Sequence, residues 1–563
     1  MQIRKLEIDR FRGIKHLEWL PATPIVCLLG PGDSAKTTIL DAIELCLGTR
    51  RAATFSDADF FNGQPIEPVS IVATVGCLPS ALLAEDKYGL NLRGWSPTGV
   101  LNDEPEAEDE PVLSVAFTID DSYEPSWTVI NDRLVEGRHF PARDRELLGL
   151  TRLGAEIDRH FSWSRGSVLN RATEDLSEVN KLVAEAHREA RKAIADAPLA
   201  KLKDIAVKAQ AAATQMGVRV TGVYRPGLEA GGVVVGSSQL SLHQDDIPIR
   251  ASGLGSRRLN ALALQSMSLQ QDPSILVDEV ESGLEPHRLR HLVTKLKEAA
   301  GERGQTILTT HSVIPLQELT SNFLYIVQRD QGEVTVRQLG KKLQKIVRGS
   351  TEAMLGRRIL VCEGKTEVGL CRGMASVWET SHAGIPFAHT GTALTSGNGD
   401  EAPEMAARLA HLGFATGLLR DSDVQLSAEQ SARLDALGVV VFAWPDELSV
   451  EERISLDVEW QTLQEIIRLA AADESDQSVL DLISAGLPAR PILKTLSIDS
   501  WLSDSVSAEQ IRLAFGRAAK KKSWFKRIDK GEALGEALIV DLLTNEATPL
   551  ATTLRALGDW VYA

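Results

Sequence analysis

The sequence lacks a long hydrophobic run and contains little cysteine. No apolar stretch among its 563 residues is long enough to cross a bilayer. The first residues, MQIRKLEIDRFRG, do not follow the pattern of a signal peptide, so we expect a cytoplasmic protein. The five cysteines show no metal-type spacing, which fits small core residues in a reducing compartment. The net charge of −16 argues against indiscriminate coating of nucleic acid, although a local basic groove is compatible with it.

The composition, with 43% hydrophobic and 25% charged residues, is that of an ordinary globular protein. A chain of 563 residues exceeds what one hydrophobic core usually supports, so we expect two or three domains. The acidic excess also suits a protein that collects metal ions.

The most specific motif is a phosphate-binding loop. The apolar run at 25–29 predicts a buried strand, and the pattern that follows residue 38 predicts a helix. Between them, GPGDSAKTT can surround a phosphate with backbone N–H groups at a helix N-terminus. Ala35 stands where the pattern has glycine. Alanine resists positive φ, which glycine adopts freely. Lys36 is expected to reach the β- and γ-phosphates of ATP, and Thr37 to hold Mg²⁺. The predicted nucleotide-contacting residues of the loop are Gly30, Gly32, Lys36, Thr37 and Thr38.

Two further apolar strands end in residues suited to phosphate chemistry. The run at 274–277 is followed by Asp278, expected to hold magnesium through water, and by Glu279, expected to polarise the attacking water. The run at 306–310 is followed by His311. Upstream, the sequence ASGLGSRR at 251–258 places glycines before a helical pattern, which suits a phosphate.

This ordered set resembles the phosphate loop, signature, acid pair and histidine of ABC-type ATPases. The N-terminal hairpin pattern, which contains Phe-Arg-Gly at 11–13, resembles the opening of SMC- and RecF-like ATPases. The resemblance implies that Arg12 lies near the nucleotide and that His311 touches the γ-phosphate. It also implies a dimer, because the signature acts on the nucleotide of the opposing subunit, with the turn at 282–286 communicating across it. The signature residues are then Ser252, Gly253 and Gly255.

Between these motifs, residues 148–216 have a charged and alanine-rich helical pattern without Walker-type residues. A long amphipathic pair of helices outside an ATPase core is usually an oligomerisation element. The pattern therefore predicts a helical dimerisation insert, too short for an SMC-type coiled-coil arm.

A second group of motifs begins near residue 357. Three strands are predicted at 358–362, 386–390 and 416–419, and the second stops at Gly391. Acids that follow neighbouring strands crowd negative charge, which is tolerable only if divalent cations neutralise it. Metals held there can stabilise the attacking and leaving oxygens of phosphodiester cleavage. The predicted metal ligands are Glu363, Glu367, Asp421 and Asp423.

Strands that deliver Glu, Gly and Asp-x-Asp in this order resemble the Toprim domain of topoisomerases, primases and OLD (overcoming lysogenization defect) family nucleases. Their attachment behind an ABC-type ATPase makes the OLD family the match, over nearly the whole chain. The resemblance implies that Ser449 and Glu451 belong to a second metal site, with Glu452 as an alternative. It also implies a terminal catalytic lysine within KKKSWFKR at 520–527. We favour Lys526 over Lys522, since a lysine at the scissile phosphate would stabilise the transition state, and expect nucleic-acid stacking on Trp524.

The expected fold is α/β: an ABC/SMC-like P-loop ATPase with a helical dimerisation insert, followed by a Toprim, Rossmann-like nuclease domain with helical additions. The predicted limits are 1–150 and 218–345 for the two parts of the ATPase, 151–217 for the insert and 355–563 for the Toprim domain.

We therefore expect an ATP-binding and ATP-hydrolysing, metal-dependent DNA endonuclease in bacterial anti-phage defence. The implied cofactors are ATP and Mg²⁺, or Mn²⁺ or Ca²⁺. The implied partners are DNA, further copies of the chain in a dimer or larger oligomer, and a helicase-like or other defence-system protein, but no membrane. Two alternatives stay open: a RecF-like DNA repair ATPase that does not cut, and a nucleotide-sensing scaffold for a partner. A topoisomerase or primase is least favoured, because none of the five tyrosines has a convincing nucleophile setting. ATP could inhibit cutting or license it.

Overall fold

The chain forms two compact units in the computed structural model. Unit 1 comprises Met1–Cys27, Thr37–Glu318 and Gln331–Glu333, and unit 2 comprises Leu28–Lys36, Leu319–Asp330 and Val334–Ala563. Among the described residues, no helix is both long and apolar enough to span a membrane. The structure describes residues 1–49, 54–153, 157–163, 167, 169–170, 173, 177–197, 200–216, 219, 221–226, 240–268, 274–301, 303–472, 474–488, 490–503, 505–545 and 547–563.

The first 318 residues contain most of a large mixed sheet. Its strands, in chain order, are β1 Gln2–Phe11, β2 Ile14–Trp19, β3 Ile25–Leu29, β4 Val69–Gly76, β5 Arg93–Trp95, β6 Leu101–Asn102, β7 Glu110–Ile119, β8 Pro125–Ile130, β9 Arg138–His139, β10 Leu150–Leu153, β13 Ser274–Val277 and β14 Gln305–Thr309, while β11 His243–Gln244 and β12 Ile247–Pro248 pair separately. The helices are α1 Lys36–Leu47, α2 Ser80–Leu83, α3 Ala142–Glu146, α4 Ser177–Asp196, α5 Ala200–Gln215, α6 Leu254–Ser268, α7 Pro286–Ala300 and α8 Val313–Glu318.

Unit 1 combines parallel and antiparallel strands. β10, β13 and β14 run parallel, and β1 pairs antiparallel with both β2 and β4. Strands β13 and β14 are buried along their whole length, as strands covered on both faces require. These strands and the N-terminal hairpin confirm the sequence prediction.

The beginning of the predicted insert is a strand and not a helix. Leu150–Leu153 forms β10 and pairs with β13, so the helical prediction from residue 148 is wrong there. Thr151 and Leu153 are buried while Leu150 and Arg152 are half-buried, the alternation of a strand. The later part of the segment is helical as predicted, and α5 has no buried residue; Leu182 on α4 and Ile205 on α5 are 65% and 61% exposed.

The remaining strands and helices follow residue 318. The strands are β15 Leu324–Asp330, β16 Glu333–Gln338, β17 Arg358–Cys362, β18 Thr392–Ser396, β19 Ala415–Arg420 and β20 Val440–Ala443. The helices are α9 Gln344–Gly349, α10 Lys365–Gly373, α11 Ala375–Ser381, α12 Ala402–His411, α13 Ala428–Ala436, α14 Val450–Asp457, α15 Trp460–Ala471, α16 Asp476–Gly486, α17 Ala508–Lys522, α18 Ile528–Ala537, α19 Ile539–Thr544 and α20 Pro549–Tyr562.

Unit 2 contains a four-stranded parallel sheet in the order β18, β17, β19, β20. The strand predicted at 386–390 is wrong, because residues Phe387–Thr390 form a 3-10 helix that ends at Gly391 with φ +66°. The true strand, TALTS at 392–396, is too polar to be read as an apolar run. The glycine that follows it is Gly397 and not Gly391.

Helices α10 and α18 of unit 2 touch backbone to backbone. A β-carbon on Gly369 would lie 2.2 Å from the carbonyl oxygen of Ile528, and one on Gly531 would lie 2.4 Å from that of Thr366. The hydroxyl of Thr366 also donates to the carbonyl oxygen of Phe525, at 3.0 Å. The crossing therefore fixes the turn before α18 against the first turn of α10.

Candidate functional site

The phosphate-type loop encloses its own lysine. α1 begins at Lys36, whose Nζ donates to the carbonyl oxygens of Gly30 and Pro31, at 3.0 and 2.8 Å, and to Ser34 Oγ at 3.1 Å. Gly30 has φ +146°, and a β-carbon there would lie 2.4 Å from a backbone oxygen, so glycine is required. Ala35 adopts φ +75° despite its β-carbon, which costs about 1–2 kcal/mol. The loop thus keeps the geometry that glycine would allow without strain.

The remaining loop residues border open space. A β-carbon on Gly32 would meet no heavy atom within 4 Å, and Gly32 and Thr37 are exposed. Thr38 is half-buried in the first turn of α1. Gly32 and Thr37 are therefore each accessible to solvent.

A hydroxyl and a carboxylate meet where α1 begins and β13 ends. Thr37 Oγ1 donates to Asp278 Oδ1 at 3.2 Å, and Thr309 Oγ1 donates to the same oxygen at 2.7 Å. The Glu279 N–H donates to Thr309 Oγ1 at 2.8 Å. One hydroxyl and one carboxylate suit Mg²⁺, which takes few protein oxygens and keeps several waters. Thr37 and Asp278 therefore fit the metal that accompanies a bound nucleotide.

The signature-like segment packs onto the turn after the acid pair. Arg258 donates to the carbonyl oxygens of Asp278, at 3.0 Å, and Glu279. A β-carbon on Gly255 would lie 2.1 Å from the Gly283 carbonyl oxygen, so glycine is required for this contact. Glu279 has φ +45° and accepts a hydrogen bond from Ser282 Oγ at 2.9 Å.

The other two signature residues lie just before α6. Ser252 closes a 3-10 turn with a hydrogen bond from its N–H to the Ile249 carbonyl oxygen, at 2.9 Å, and Gly253 has open space around it. The action of Ser252 and Gly253 on the nucleotide of an opposing subunit stays a prediction.

His311 is exposed, and its backbone is held by an acid that the motifs did not single out. Its N–H donates to Glu281 Oε1 at 2.7 Å, and Thr310 Oγ1 donates to Glu281 Oε2 at 2.7 Å. Glu281 thereby orients the end of β14. Its place two residues after the acid pair, in the sequence DEVE, was the available signal.

Two arginines complete this region. Arg12 contacts Asp59 at 3.0 Å and also pairs with Asp41 on α1. Arg152, which the sequence analysis missed, contacts Asp278 Oδ2 at 3.2 Å and also pairs with Asp41. The sequence analysis expected a helical insert from residue 148, so it did not place Arg152 in the sheet beside Asp278.

In unit 2, acids from two neighbouring strand ends come together. The Asp421 N–H, just after β19, donates to Glu363 Oε2, just after β17, at 3.0 Å. One oxygen from each of Glu363, Asp421 and Asp423 lies within 4.8 Å of the other two. Three carboxylate oxygens at this spacing fit a divalent cation. The structure therefore brings three of the predicted metal ligands together.

Two further predicted ligands are buried. Glu367 is 4% exposed and accepts a hydrogen bond from the Gly364 N–H at 2.7 Å. Glu451 is 4% exposed, and its Oε1 has no hydrogen-bond partner within the part of the chain that the structure describes. A buried carboxylate oxygen without a partner is rare and fits a ligand atom for a cation.

These carboxyl groups raise one another's pKa. Burial, followed by the charge of Glu451, raises the pKa of Glu367 to about 7. Burial and the nearby charges of Glu367 and Glu363 raise the pKa of Asp421 to about 9. Burial also raises the pKa of Glu451, while Lys526 and Lys520 oppose the rise. Because the ionised forms are disfavoured here, a divalent cation would bind with release of protons.

Ser449 and Glu452 have a structural role at the start of α14. Ser449 Oγ accepts the Glu452 N–H at 3.4 Å, and Glu452 Oε2 accepts the Ser449 N–H at 3.2 Å, which is a capping box. The box fixes the first turn of the helix and hence Glu451, which lies between its two members.

Of the C-terminal lysines, Lys520 makes the closest contacts to the acids. Its Nζ lies 2.8 Å from Asp423 Oδ2 and 3.4 Å from Glu452 Oε2, whereas our two candidates were Lys526 and Lys522. Lys526 and Lys522 are both exposed, and Lys526 influences the pKa of Glu451. The half-buried Trp524 ring packs 5.9 Å from the Phe515 ring, so that part of its surface is already covered.

Several solved structures resemble the chain in part. A Smc head bound to the C-winged helix domain of ScpA shares 17% identity, covering 61% of this chain and 99% of that one, with a TM-score of 0.35. A Smc head with an extended coiled coil, bound to the C-terminal domain of ScpA derived from Pyrococcus furiosus, shares 15% identity. That match covers 61% of this chain and 98% of the other, with a TM-score of 0.35. The SMC head domain from Thermotoga maritima shares 15% identity, covering 60% of this chain and 99% of that one, with a TM-score of 0.28.

No curated protein sequence matches the chain. A family model described as "AAA domain, putative AbiEii toxin, Type IV TA system" matches residues 25–314, just over half of the chain. The match contains the phosphate loop, the signature-like segment, the acid pair and His311. The chain belongs to this AAA-domain family.

Proposed function

We propose that this protein is an ATP-controlled, metal-dependent DNA endonuclease of the OLD kind. Its AAA-family part binds and hydrolyses ATP, and residues 355–563 form a Toprim-like nuclease domain. The observation that carries the proposal is the convergence of Glu363, Asp421 and Asp423, whose oxygens lie within 4.8 Å of one another at the ends of parallel strands. Acids packed this closely reduce the stability of the fold unless a cation neutralises them.

The proposed nuclease site divides its acids between two cations. Glu363, Asp421 and Asp423 hold the first, and Glu367 and Glu451, with Ser449 at the helix start, border the second. Divalent ions at such a site stabilise the attacking and leaving oxygens of an in-line displacement. Lys526, or Lys520 on Asp423, stabilises the negative charge that develops on the phosphate.

In the AAA part, Lys36 binds the β- and γ-phosphates, and Thr37 with Asp278 holds magnesium. Glu279 orients the attacking water, and His311 contacts the γ-phosphate. The contact between Gly255 and Gly283 supports this assignment, because it links the signature-like segment to the turn after the acid pair. The exposed apolar residues of α4 and α5, such as Leu182 and Ile205, support a dimer.

The biological setting that we propose is bacterial anti-phage defence, with DNA as the substrate. A helicase-like or other defence-system protein is a further proposed partner. Of the alternatives, a DNA repair ATPase that does not cut and a regulatory scaffold both leave the buried carboxylates of Glu367 and Glu451 without a use. The cutting function is therefore preferred.

The direct test is nicking and linearisation of supercoiled plasmid by the purified chain, with Mg²⁺ or Mn²⁺ and with or without ATP. Asp421→Asn should abolish cutting and leave ATP hydrolysis unchanged. Asp499→Asn is the matched control, because both carboxylates accept a hydrogen bond from a tryptophan Nε1, Trp444 at 3.1 Å and Trp460 at 2.7 Å.

Metal-dependent cutting that Asp421→Asn loses and Asp499→Asn keeps would support the nuclease. The lanes with and without ATP would then give the sign of its control. If the wild type cuts under none of these conditions, or if Asp421→Asn cuts equally well, the nuclease proposal fails and the two non-cutting alternatives gain.

A further inference from the structure

One arginine of unit 1 joins three carboxylates around the predicted magnesium ligands. Arg152 Nη2 lies 3.2 Å from Asp278 Oδ2, and Nη1 lies 2.9 Å from Glu44 Oε2 and also pairs with Asp41. The side chain is only 12% exposed. A guanidinium suits this position because its planar fork can serve several oxygens at once, which an ammonium group cannot do in the same geometry.

The strand register gives Arg152 this position. β10 pairs in parallel with β13 so that Arg152 lies opposite Leu276, and the Leu153 carbonyl oxygen accepts the Asp278 N–H at 3.1 Å. The main chain of β10 therefore holds the Asp278 backbone, while the Arg152 side chain holds the Asp278 carboxylate.

The same arginine also binds one face of α1. Thr37, Asp41 and Glu44 are spaced i, i+4 and i+7, which places them along one side of the helix. Thr37 Oγ1 binds one oxygen of Asp278, and Arg152 links Asp41 and Glu44 to the other. Helix α1 is thus attached to Asp278 at two points, on either side of the carboxylate.

Asp41 is shared between two arginines. Its Oδ1 pairs with Arg152, and its Oδ2 pairs with Arg12, which also contacts Asp59 at 3.0 Å. The side chains of Asp41 and Glu44 are only 22% and 24% exposed, so without these cations their charges would be poorly solvated.

We propose that Arg152 is a positioning residue of the nucleotide site. It fixes the Asp278 carboxylate relative to Thr37, and it neutralises Asp41 and Glu44 so that they do not compete for the divalent cation. This inference rests on the proposed ATP binding and hydrolysis. It assigns to Arg152 a control over metal dependence and not over the affinity for the nucleotide itself.

The test uses the full chain with Arg152→Met and Arg152→Lys. Binding of a fluorescent ATP analogue without metal measures the phosphate loop alone. A titration with Mn²⁺ in the presence of ATP, followed by electron paramagnetic resonance, measures metal binding directly. Steady-state hydrolysis then gives the Mg²⁺ concentration for half-maximal rate, separately from kcat and from the KM for ATP.

Arg93→Met is the matched control. Arg93 lies on β5 and its side chain is 8% exposed. It contacts two carboxylates, Asp103 at 2.7 Å and Asp132 at 2.9 Å. Its removal should lower Tm as much as that of Arg152 without affecting metal dependence.

We expect Arg152→Met to weaken Mn²⁺ binding and to raise the half-maximal Mg²⁺ concentration about 10–100-fold. Binding of the analogue without metal should change less than threefold, and Arg152→Lys should recover part of the loss. If Arg152→Met does not fold, the same Mn²⁺ titration is made with Asp41→Asn, which removes one of the carboxylates that hold the Arg152 guanidinium.

Unchanged metal dependence in Arg152→Met, or an equal shift in Arg93→Met, would overturn the role of Arg152 alone. Failure of the wild type to bind the ATP analogue would instead overturn the proposed nucleotide site, and this inference with it.

Discussion

In unit 1, the carboxylates that follow β13 are each met by a donor, whereas in unit 2 the carboxylates that follow β17 and β19 face one another. Asp278 accepts from Thr37, Thr309 and Arg152, all from unit 1 itself. Asp421 accepts from Trp444 and otherwise lies among Glu363, Glu367 and Glu451, which raise its pKa. A strand-end aspartate is therefore neutralised by an arginine in unit 1, whereas Asp421 in unit 2 lies among other carboxylates.

The comparison extends to the helices that follow the strands. α1 begins with Lys36-Thr37 and α10 begins with Lys365-Thr366, each shortly after a parallel strand. Thr37 donates to the Asp278 carboxylate, while Thr366 donates to the backbone of Phe525. A Lys-Thr pair at a helix start is thus part of the proposed nucleotide site in one case and of a packing contact in the other.

The largest expected effect separates these two lysines. Lys36→Ala should abolish ATP binding, more than 100-fold, because the ammonium group inside the loop is lost. Lys365→Ala, on the exposed start of α10, should leave ATP binding unchanged. Isothermal titration with ATP and Mg²⁺ measures both variants. Equal loss in the two variants would mean that the loop has been assigned wrongly.

The second prediction concerns pH and the metal-free acids. The folded pKa of Asp421, about 9, is raised above its ordinary value of 3.8. Its contribution to stability is therefore fully present below about pH 4 and is lost as the pH rises towards 9. In EDTA, Tm should fall over this range, and Asp421→Asn should fall less steeply.

Added Mn²⁺ should raise the wild-type Tm most at the alkaline end of that range, because the cation binds the ionised carboxylates. The Asp499→Asn control should keep the wild-type slope. A metal-free Tm that is identical in Asp421→Asn and wild type at every pH would contradict the crowding of these acids.

The third prediction tests the C-terminal lysines against one another. Lys526→Ala should reduce plasmid cutting about 10²–10³-fold if it stabilises the transition state. Lys520→Ala should also reduce cutting, because Asp423 and Glu452 lose their internal cation. Lys522→Ala, at the exposed end of α17, tests the other candidate and should cut as the wild type does. Wild-type cutting by Lys526→Ala would mean that the catalytic lysine has been misplaced.

The smallest expected effect concerns Ala35, whose φ of +75° favours glycine. Ala35→Gly should stabilise the protein by about 0.5–1 kcal/mol, because relief of the strain exceeds the entropy gained by the unfolded chain. Urea unfolding with and without ATP measures the change. A loss of stability in both conditions would show that the buried methyl group matters more than the strain.

The sequence predicts those parts of the fold that depend on local patterns. Apolar runs located β3, β13, β17 and β19, and the acids that follow β17 and β19 do converge. The polar strand β18 and the short β10 were missed, because their assignment depends on pairing with a neighbouring strand.

The contacts that support the sites were beyond sequence reasoning. Arg152 reaches an acid 126 residues away, and Lys520 reaches Glu452 over 68 residues. A lone arginine or one lysine among several carries no local signal of such a contact. Only the fold identifies which charged residue serves which acid.

The glycine crossing of α10 and α18 also has a consequence for tracing ancestry. Gly369 and Gly373 on one helix, and Gly531 and Gly535 on the other, leave no space for a β-carbon. Two G-x-x-x-G spacings about 160 residues apart in the chain should therefore be inherited together. In distant relatives whose strand-end acids have diverged, this paired spacing offers a search pattern that does not depend on the chemistry.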